Sequence, residues 1–129
     1  MTAQILIAED SAAMRAFLVS ALEAIGDCVV VEASSGFEAL KMLPQRKFSL
    51  IITDINMPDI NGLELISFVK NNDAYRHIPL MVITTEGRIR DKEKGLALGA
   101  DEYLVKPLNL DEFTDIVRKL MARGQRPLQ

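Results

Sequence analysis

Five short apolar runs set the frame of this chain: QILIA from Gln4, CVVVEA from Cys28, SLIIT from Ser49, PLMVITT from Pro79 and EYLV from Glu102. Several are almost pure Ile, Leu and Val with little polar alternation. Strands of that kind are covered on both faces, as in parallel sheets. Between the runs lie stretches with apolar residues at helical spacing. Met14, Phe17, Leu18, Ala21, Leu22 and Ile25 form the first stripe. Phe37, Leu40 and Leu43 form the second, which Pro44 should stop because proline lacks the N–H a helix needs. Leu63, Ile66 and Val69 form the third, entered through Asn61, a good N-cap. Ile89, Leu96 and Ala97 form a thin fourth stripe around a fully charged middle, RDKEK. Leu110, Phe113, Val117, Leu120 and Met121 form the fifth, with Asn109 and Glu112 spaced as in a capping box. A strand-helix pair repeated five times predicts an α/β fold: a parallel sheet with helices on both faces and right-handed crossovers. One domain over 1–129 is expected, with a core from about 4 to 123 and a polar tail over 124–129.

Composition narrows the function. A net charge of −3 and a pI near 5.2 argue against a nucleic-acid surface, which needs a basic face to neutralise phosphates. No apolar run approaches the length of about 20 residues that spans a bilayer, and MTAQ lacks the basic flank of a signal peptide. A cytoplasmic location is expected. The single cysteine, Cys28, lies within an apolar run and reads as a buried strand thiol. His77, before the fourth strand, reads as a solvent-facing loop residue with no second histidine to pair with.

In a parallel sheet all carboxyl ends share one edge, and ligands bind there at the point where strand order reverses. The first run delivers Glu9 and Asp10 to that edge, the third Asp54 with Asn56 just beyond, the fourth Thr84, Thr85 and Glu86, and the fifth Lys106 and Pro107. Any one of these alone reads as an ordinary loop or strand residue. Together they put chemistry at four of five strand ends. Three carboxylates in one crevice repel, by roughly 4 kcal/mol for a pair about 4 Å apart at an effective dielectric near 20. Protonation would relieve this, and so would a hard divalent cation; without His or Cys in the set magnesium fits better than zinc. Lys106 adds a point charge suited to a phosphoryl oxygen and Thr84 a hydroxyl donor. Metal, lysine, hydroxyl and a spare carboxylate describe phosphoryl transfer onto that carboxylate.

The pieces IAED, IITDINMPDINGLEL, MVITTEG and YLVKPL, in that order and at these intervals, resemble the receiver domain of two-component response regulators over about Gln4 to Arg123. The resemblance implies a flavodoxin-like, doubly wound (βα)5 fold with strand order 2-1-3-4-5, an order known from flavodoxin and chemotaxis regulators. It implies that Asp54 is the phosphoacceptor and that Glu9 and Asp10, with Asp54 and the backbone carbonyl of Asn56, hold Mg²⁺, with Mn²⁺ as a substitute. Thr84 then binds a phosphoryl oxygen, Lys106 pairs with Asp54 or its phosphate, and Tyr103 is the switch aromatic. The Lys106–Pro107 peptide is expected to be cis.

Within the family the likeness is to stand-alone chemotaxis regulators, and no output domain is expected after the fifth helix. Asn56 and Glu86, each two places beyond Asp54 and Thr84, flank the path of an attacking water there. Thr85 stands where many receivers carry a smaller residue. All three bear on phosphate lifetime. The implied partners are a sensor histidine kinase, a phosphorylation-dependent target (the flagellar motor switch, in chemotaxis) and a phosphatase, with no nucleic acid and no membrane, and the chain as a monomer. The output surface is the fourth helix, fifth strand and fifth helix, where Arg88, Arg90, Lys92 and Lys94 make a charged face. The implied role is a signalling switch rather than an enzyme.

Alternative readings are a single-domain phosphorelay receiver, a receiver excised from a larger regulator, a Mg²⁺-dependent aspartyl phosphohydrolase, and a nucleotide- or flavin-binding module. The hydrolase often carries a second acid two residues after its nucleophile, where this chain has Asn56. The nucleotide module needs a Gly-rich phosphate loop, and AEDSAAM has no glycine.

Overall fold

The five apolar runs become five parallel strands in the computed structural model, which describes residues 2–85 and 89–124. They are β1 (Ala3–Ala8), β2 (Cys28–Ala33), β3 (Leu50–Asp54), β4 (Leu80–Thr84) and β5 (Glu102–Val105), in the spatial order β2-β1-β3-β4-β5. The helices between and after them are α1 (Ala12–Ile25), α2 (Gly36–Met42), α3 (Gly62–Lys70), α4 (Ile89–Leu98) and α5 (Leu110–Gly124). None is long and apolar enough to cross a membrane.

Side chains alternate along a strand, so each strand feeds two cores. Leu6, Ile51, Leu80 and Val82 face one layer, where Leu65, Ile66 and Val69 of α3 meet Ala39, Leu43 and Phe48. Ile5, Ile7, Leu50, Ile52, Met81 and Ile83 face the other, filled by Leu18 and Leu22 of α1 and by Phe113, Val117 and Leu120 of α5. The central strands β3 and β4 are buried throughout, which explains their unbroken apolar run. Register then places the site. Ala8 pairs with Thr53, so the next residues, Glu9 just past β1 and Asp54 at the end of β3, stand side by side. The sheet order reverses between these same two strands.

Local chemistry sets the helix ends. The Ser11 side chain caps α1 by accepting from Met14 N at 3.2 Å. α2 tightens into a 3₁₀ turn over Leu43–Gln45, with Pro44 in its first positions. At α3 the Asn61 side chain accepts from Glu64 N at 2.9 Å while the Glu64 carboxylate takes Asn61 N at 3.3 Å, a complete capping box. Asn61→Ala is expected to cost about 1 kcal/mol, read as a lower urea midpoint at unchanged m-value. Asn109 accepts from Glu112 N at 2.9 Å, as its spacing predicts.

Four apolar stripes differ in part from the sequence expectation. Phe17, Phe37 and Leu110 are exposed, because each lies at the edge of its stripe, beyond the arc that meets the sheet. Leu96 and Ala97 of α4 are exposed as well. That helix buries Gly95 instead, where a Cβ would reach Leu63, Tyr103 and Ile66 at 3.9–4.0 Å. The Ile89 side chain and residues 86–88, including Glu86 and Arg88, lie outside the described residues. Cys28 is half-buried rather than buried. Its Sγ lies 3.3 Å from Leu22 O, and burial pushes the thiol pKa up.

Candidate functional site

Glu9, Asp10 and Asp54 converge at the carboxyl edge of the sheet, each offering an oxygen within 4.8 Å of the others. Glu9 and Asp54 are buried, and Asp10 is open to solvent. Lys106 reaches in from the end of β5. Its Nζ lies 2.7 Å from Glu9 Oε1 and 3.0 Å from Asp54 Oδ2. Lys106 N donates to Thr84 O at 2.7 Å, and the peptide to Pro107 is cis.

The other oxygen of each buried carboxylate is also held. Glu9 Oε2 accepts from Ser11 N at 3.0 Å, and Asp54 Oδ1 accepts from Asn56 N at 3.2 Å. Arg15 Nη1 donates to the Glu9 carbonyl at 2.7 Å, fixing the turn into α1. Gly62 is needed behind Asp54, since a Cβ there would stand 2.2 Å from the Asp54 carbonyl oxygen.

Burial pushes the Glu9 pKa up. The Lys106 hydrogen bond and the Ser11 amide pull it back only in part, and the Asp54 charge adds to the rise. For Lys106, burial works to lower the pKa, but the hydrogen bonds it donates to Glu9 and Asp54 outweigh it and the pKa is raised. The lysine is therefore held cationic. Three carboxylates against one ammonium still leave the cluster short of positive charge. Its donors are hard oxygens, one on a solvent-facing side chain, and this set fits a magnesium-like cation.

The raised Glu9 pKa gives a pH prediction. The folded state holds this proton more tightly than the unfolded chain, whose value is near 4.5. Its contribution to stability is therefore present below pH 4.5 and lost as pH rises through the raised folded value. Added Mg²⁺ offsets the carboxylate repulsion that replaces it. The thermal stabilisation by Mg²⁺ over EDTA is expected to be larger at pH 7 than at pH 5. Equal increments at both would show that this cluster is not where the cation acts.

The remaining predicted residues fall around the cluster. Thr84 is buried at the end of β4, and Thr85 is exposed just beyond it. Asn56 is exposed, with its amide on Asp54. Tyr103 lies on β5, half-buried against the α3-side core and facing Gly95. Glu86 lies outside the described residues. Sequence reading passed over Ser11, Arg15 and Asp59. Ser11 carried a signal, as a good N-cap directly after the acidic pair. The others act on partners that spacing does not reveal: Asp59 accepts from Gly36 N and Phe37 N, on another helix.

Strand order and site together define a flavodoxin-like α/β domain with an acidic, lysine-bearing cluster at its switch point. Residues 5–118 match the response regulator receiver domain, and the chain belongs to that family. It is 32% identical over 122 residues to a chemotaxis protein CheY homolog of Campylobacter jejuni, covering 94% of each chain. It is 38% identical over 122 residues to histidine kinase P4 of Formosa agariphila, covering 95% of this chain but 9% of that protein. Among solved structures, chemotaxis protein CheY4 of Vibrio cholerae superposes with a TM-score of 0.86 at 32% identity, over 93% of this chain and 99% of that one. Receiver domains are signalling switches that bind Mg²⁺ at an acidic pocket and interact with histidine kinases and downstream targets.

Proposed function

We propose that the chain is a phosphorylation-activated switch in which Asp54 accepts a phosphoryl group from the phosphohistidine of a sensor kinase. The Asp54 carboxylate forms a P–O bond as the P–N bond to the donor imidazole breaks, and the imidazole nitrogen keeps the electron pair and takes a proton. Water later attacks phosphorus, releasing inorganic phosphate and restoring the carboxylate. The observation that carries this reading is the Lys106 ammonium bonded to both Asp54 and Glu9, a cation already at the oxygens where charge would gather. The carboxylates of Glu9, Asp10 and Asp54 and the Asn56 carbonyl would hold Mg²⁺, or Mn²⁺ in its place. When bound, the ion neutralises the phosphoryl oxygens.

In this reading Lys106 pairs with a phosphoryl oxygen and Thr84 donates its hydroxyl to another. Tyr103 follows Thr84, and so couples the site to the face formed by α4, β5 and α5. That face exposes Arg90, Lys92 and Lys94 beside Leu96, Leu98 and Val105, a mixture suited to a protein partner. Asn56 and Thr85 border the path of the hydrolytic water and set phosphate lifetime, a role that family likeness extends to Glu86. The likeness to chemotaxis proteins over nearly their whole length supports a chemotaxis role, with a flagellar motor switch as target and a phosphatase as regulator. A monomer in the cytoplasm, without nucleic acid, completes the proposal.

Intact mass after incubation with acetyl phosphate tests it. One phosphoryl-sized adduct per chain with Mg²⁺, and none in EDTA, is expected. Steady phosphate release over many turnovers without an adduct would favour a phosphohydrolase instead.

A further inference from the structure

The loop between β3 and α3 carries Asn56, and contacts hold it at both ends and along its outer arc. At its start, Asn56 N bonds Asp54 Oδ1. At its end, Gly62 N donates to Ile55 O at 2.8 Å, and the Asn61–Glu64 capping box locks the entry to α3. Its outer arc is tied sideways to a different helix. Asp59 Oδ1 accepts from Gly36 N at 3.2 Å and Oδ2 from Phe37 N at 3.0 Å, so both oxygens of one carboxylate meet the first two amides of α2. Helix α2 and the loop also touch backbone to backbone. A Cβ on Gly36 would stand 2.3 Å from the Ile60 carbonyl oxygen, so only glycine permits this approach.

We propose that Asp59 is a positioning residue for the phosphorylation site: by clamping the outer arc of the β3–α3 loop onto α2, it sets where the Asn56 backbone stands relative to Asp54, and hence how tightly the site holds its cation. This rests on the site reading above. The carboxylate gives each amide an oxygen of its own, whereas an asparagine would turn its NH₂ group toward one of the two. The Ile60 amide, with that of Phe37 behind it, holds the Asp59 carboxyl below the usual range despite some desolvation, so the clamp stays ionised. Groups behind metal ligands commonly control affinity this way, by fixing ligand direction rather than by touching the ion.

Three variants test the idea: Asp59→Ala, Asp59→Asn and Gly36→Ala. Mg²⁺ affinity is read by titration calorimetry, adduct formation from acetyl phosphate by intact mass, and folding by thermal unfolding. Asp59→Ala is expected to raise the Mg²⁺ dissociation constant roughly tenfold, a change typical of lost ligand support, while unfolding stays cooperative. Asp59→Asn, equally neutral, should recover part of that loss through its one acceptor oxygen. Gly36→Ala keeps Asp59 but pushes Ile60 away, and should weaken Mg²⁺ in the same direction. Unchanged affinity in Asp59→Ala would overturn the proposal. So would equal weakening in the Ala and Asn variants, which would assign the effect to charge alone. A parent chain that binds Mg²⁺ but takes no adduct would sink the phosphorylation reading while leaving the affinity comparison to decide this one. A parent that binds no Mg²⁺ would overturn both.

Discussion

Asp54→Asn is expected to take no phosphoryl adduct from acetyl phosphate, and yet to unfold at a higher temperature than the parent in EDTA. The first result follows from chemistry, because a carboxamide oxygen has no negative charge with which to attack phosphorus and forms no stable acyl phosphate. The second follows from the charge balance of the cluster. Three carboxylates lie within 4.8 Å of one another around one lysine. Removing the Asp54 charge deletes two repulsions of about 3.5 kcal/mol each and one attraction of about 5.5 kcal/mol, at an effective dielectric near 20. Lys106 keeps its shorter bond to Glu9, at 2.7 Å. Solvent at the exposed Asp10 weakens one of the repulsions, so the net gain is on the order of 1 kcal/mol. Mg²⁺ should stabilise this variant less than the parent. Intact mass and thermal unfolding with and without Mg²⁺ check both halves. An adduct that survives the substitution would place the phosphoryl group elsewhere, and a lower midpoint in EDTA would mean that the Lys106 attraction outweighs the carboxylate repulsion.

The residues of this cluster were legible because a parallel sheet makes their meeting compulsory. Once the runs ending in Glu9, Asp54, Thr84 and Val105 are read as parallel strands, their carboxyl ends share an edge whatever fills the core. The strand order was not written in the same way. Periodicity gives alternation, and only resemblance to a family gives 2-1-3-4-5. Nor could the sequence tell which of the adjacent acids, Glu9 or Asp10, would be buried; the structure buries Glu9 against Ser11 and Lys106. Helix α4 was misread for a related reason. A stripe analysis finds faces by their large apolar side chains, and α4 docks through Gly95, which has none. The Asp59 clamp escaped because its partners are backbone amides on a distant helix, and an amide has no letter in the sequence. The roles assigned to Asp54, Thr84 and Tyr103 come from family likeness, and chemistry must test them.

Lys106→Met is expected to be the more damaging change to the fold, by roughly 3–5 kcal/mol at neutral pH, the usual cost of breaking a buried ion pair by removing one partner. The Lys106 side chain is 9% exposed and faces a fully buried Glu9. No buried side-chain polar atom lacks a partner among the described residues, so methionine would strand Glu9 Oε1 and Asp54 Oδ2 together. The methionine chain occupies similar space, which separates the loss of charge from the loss of packing. Glu9 would then lose the bond that now pulls its pKa down, and its folded value should rise further above that of the unfolded chain. By linkage the penalty should shrink as pH falls through that raised value, because protonated Glu9 neither repels Asp54 nor strands a charge. Mg²⁺ should recover part of the loss at pH 7 and little at pH 5. Chemical denaturation at both pH values, with Mg²⁺ and with EDTA, gives the four numbers required. A loss that is the same in all four conditions would mean that Lys106 acts through packing and not as the counter-charge of the site. A loss concentrated at neutral pH without metal would establish that this lysine and the cation do the same electrostatic work on one acidic cluster. The protein would then carry its acidic cluster as a cost to its own stability.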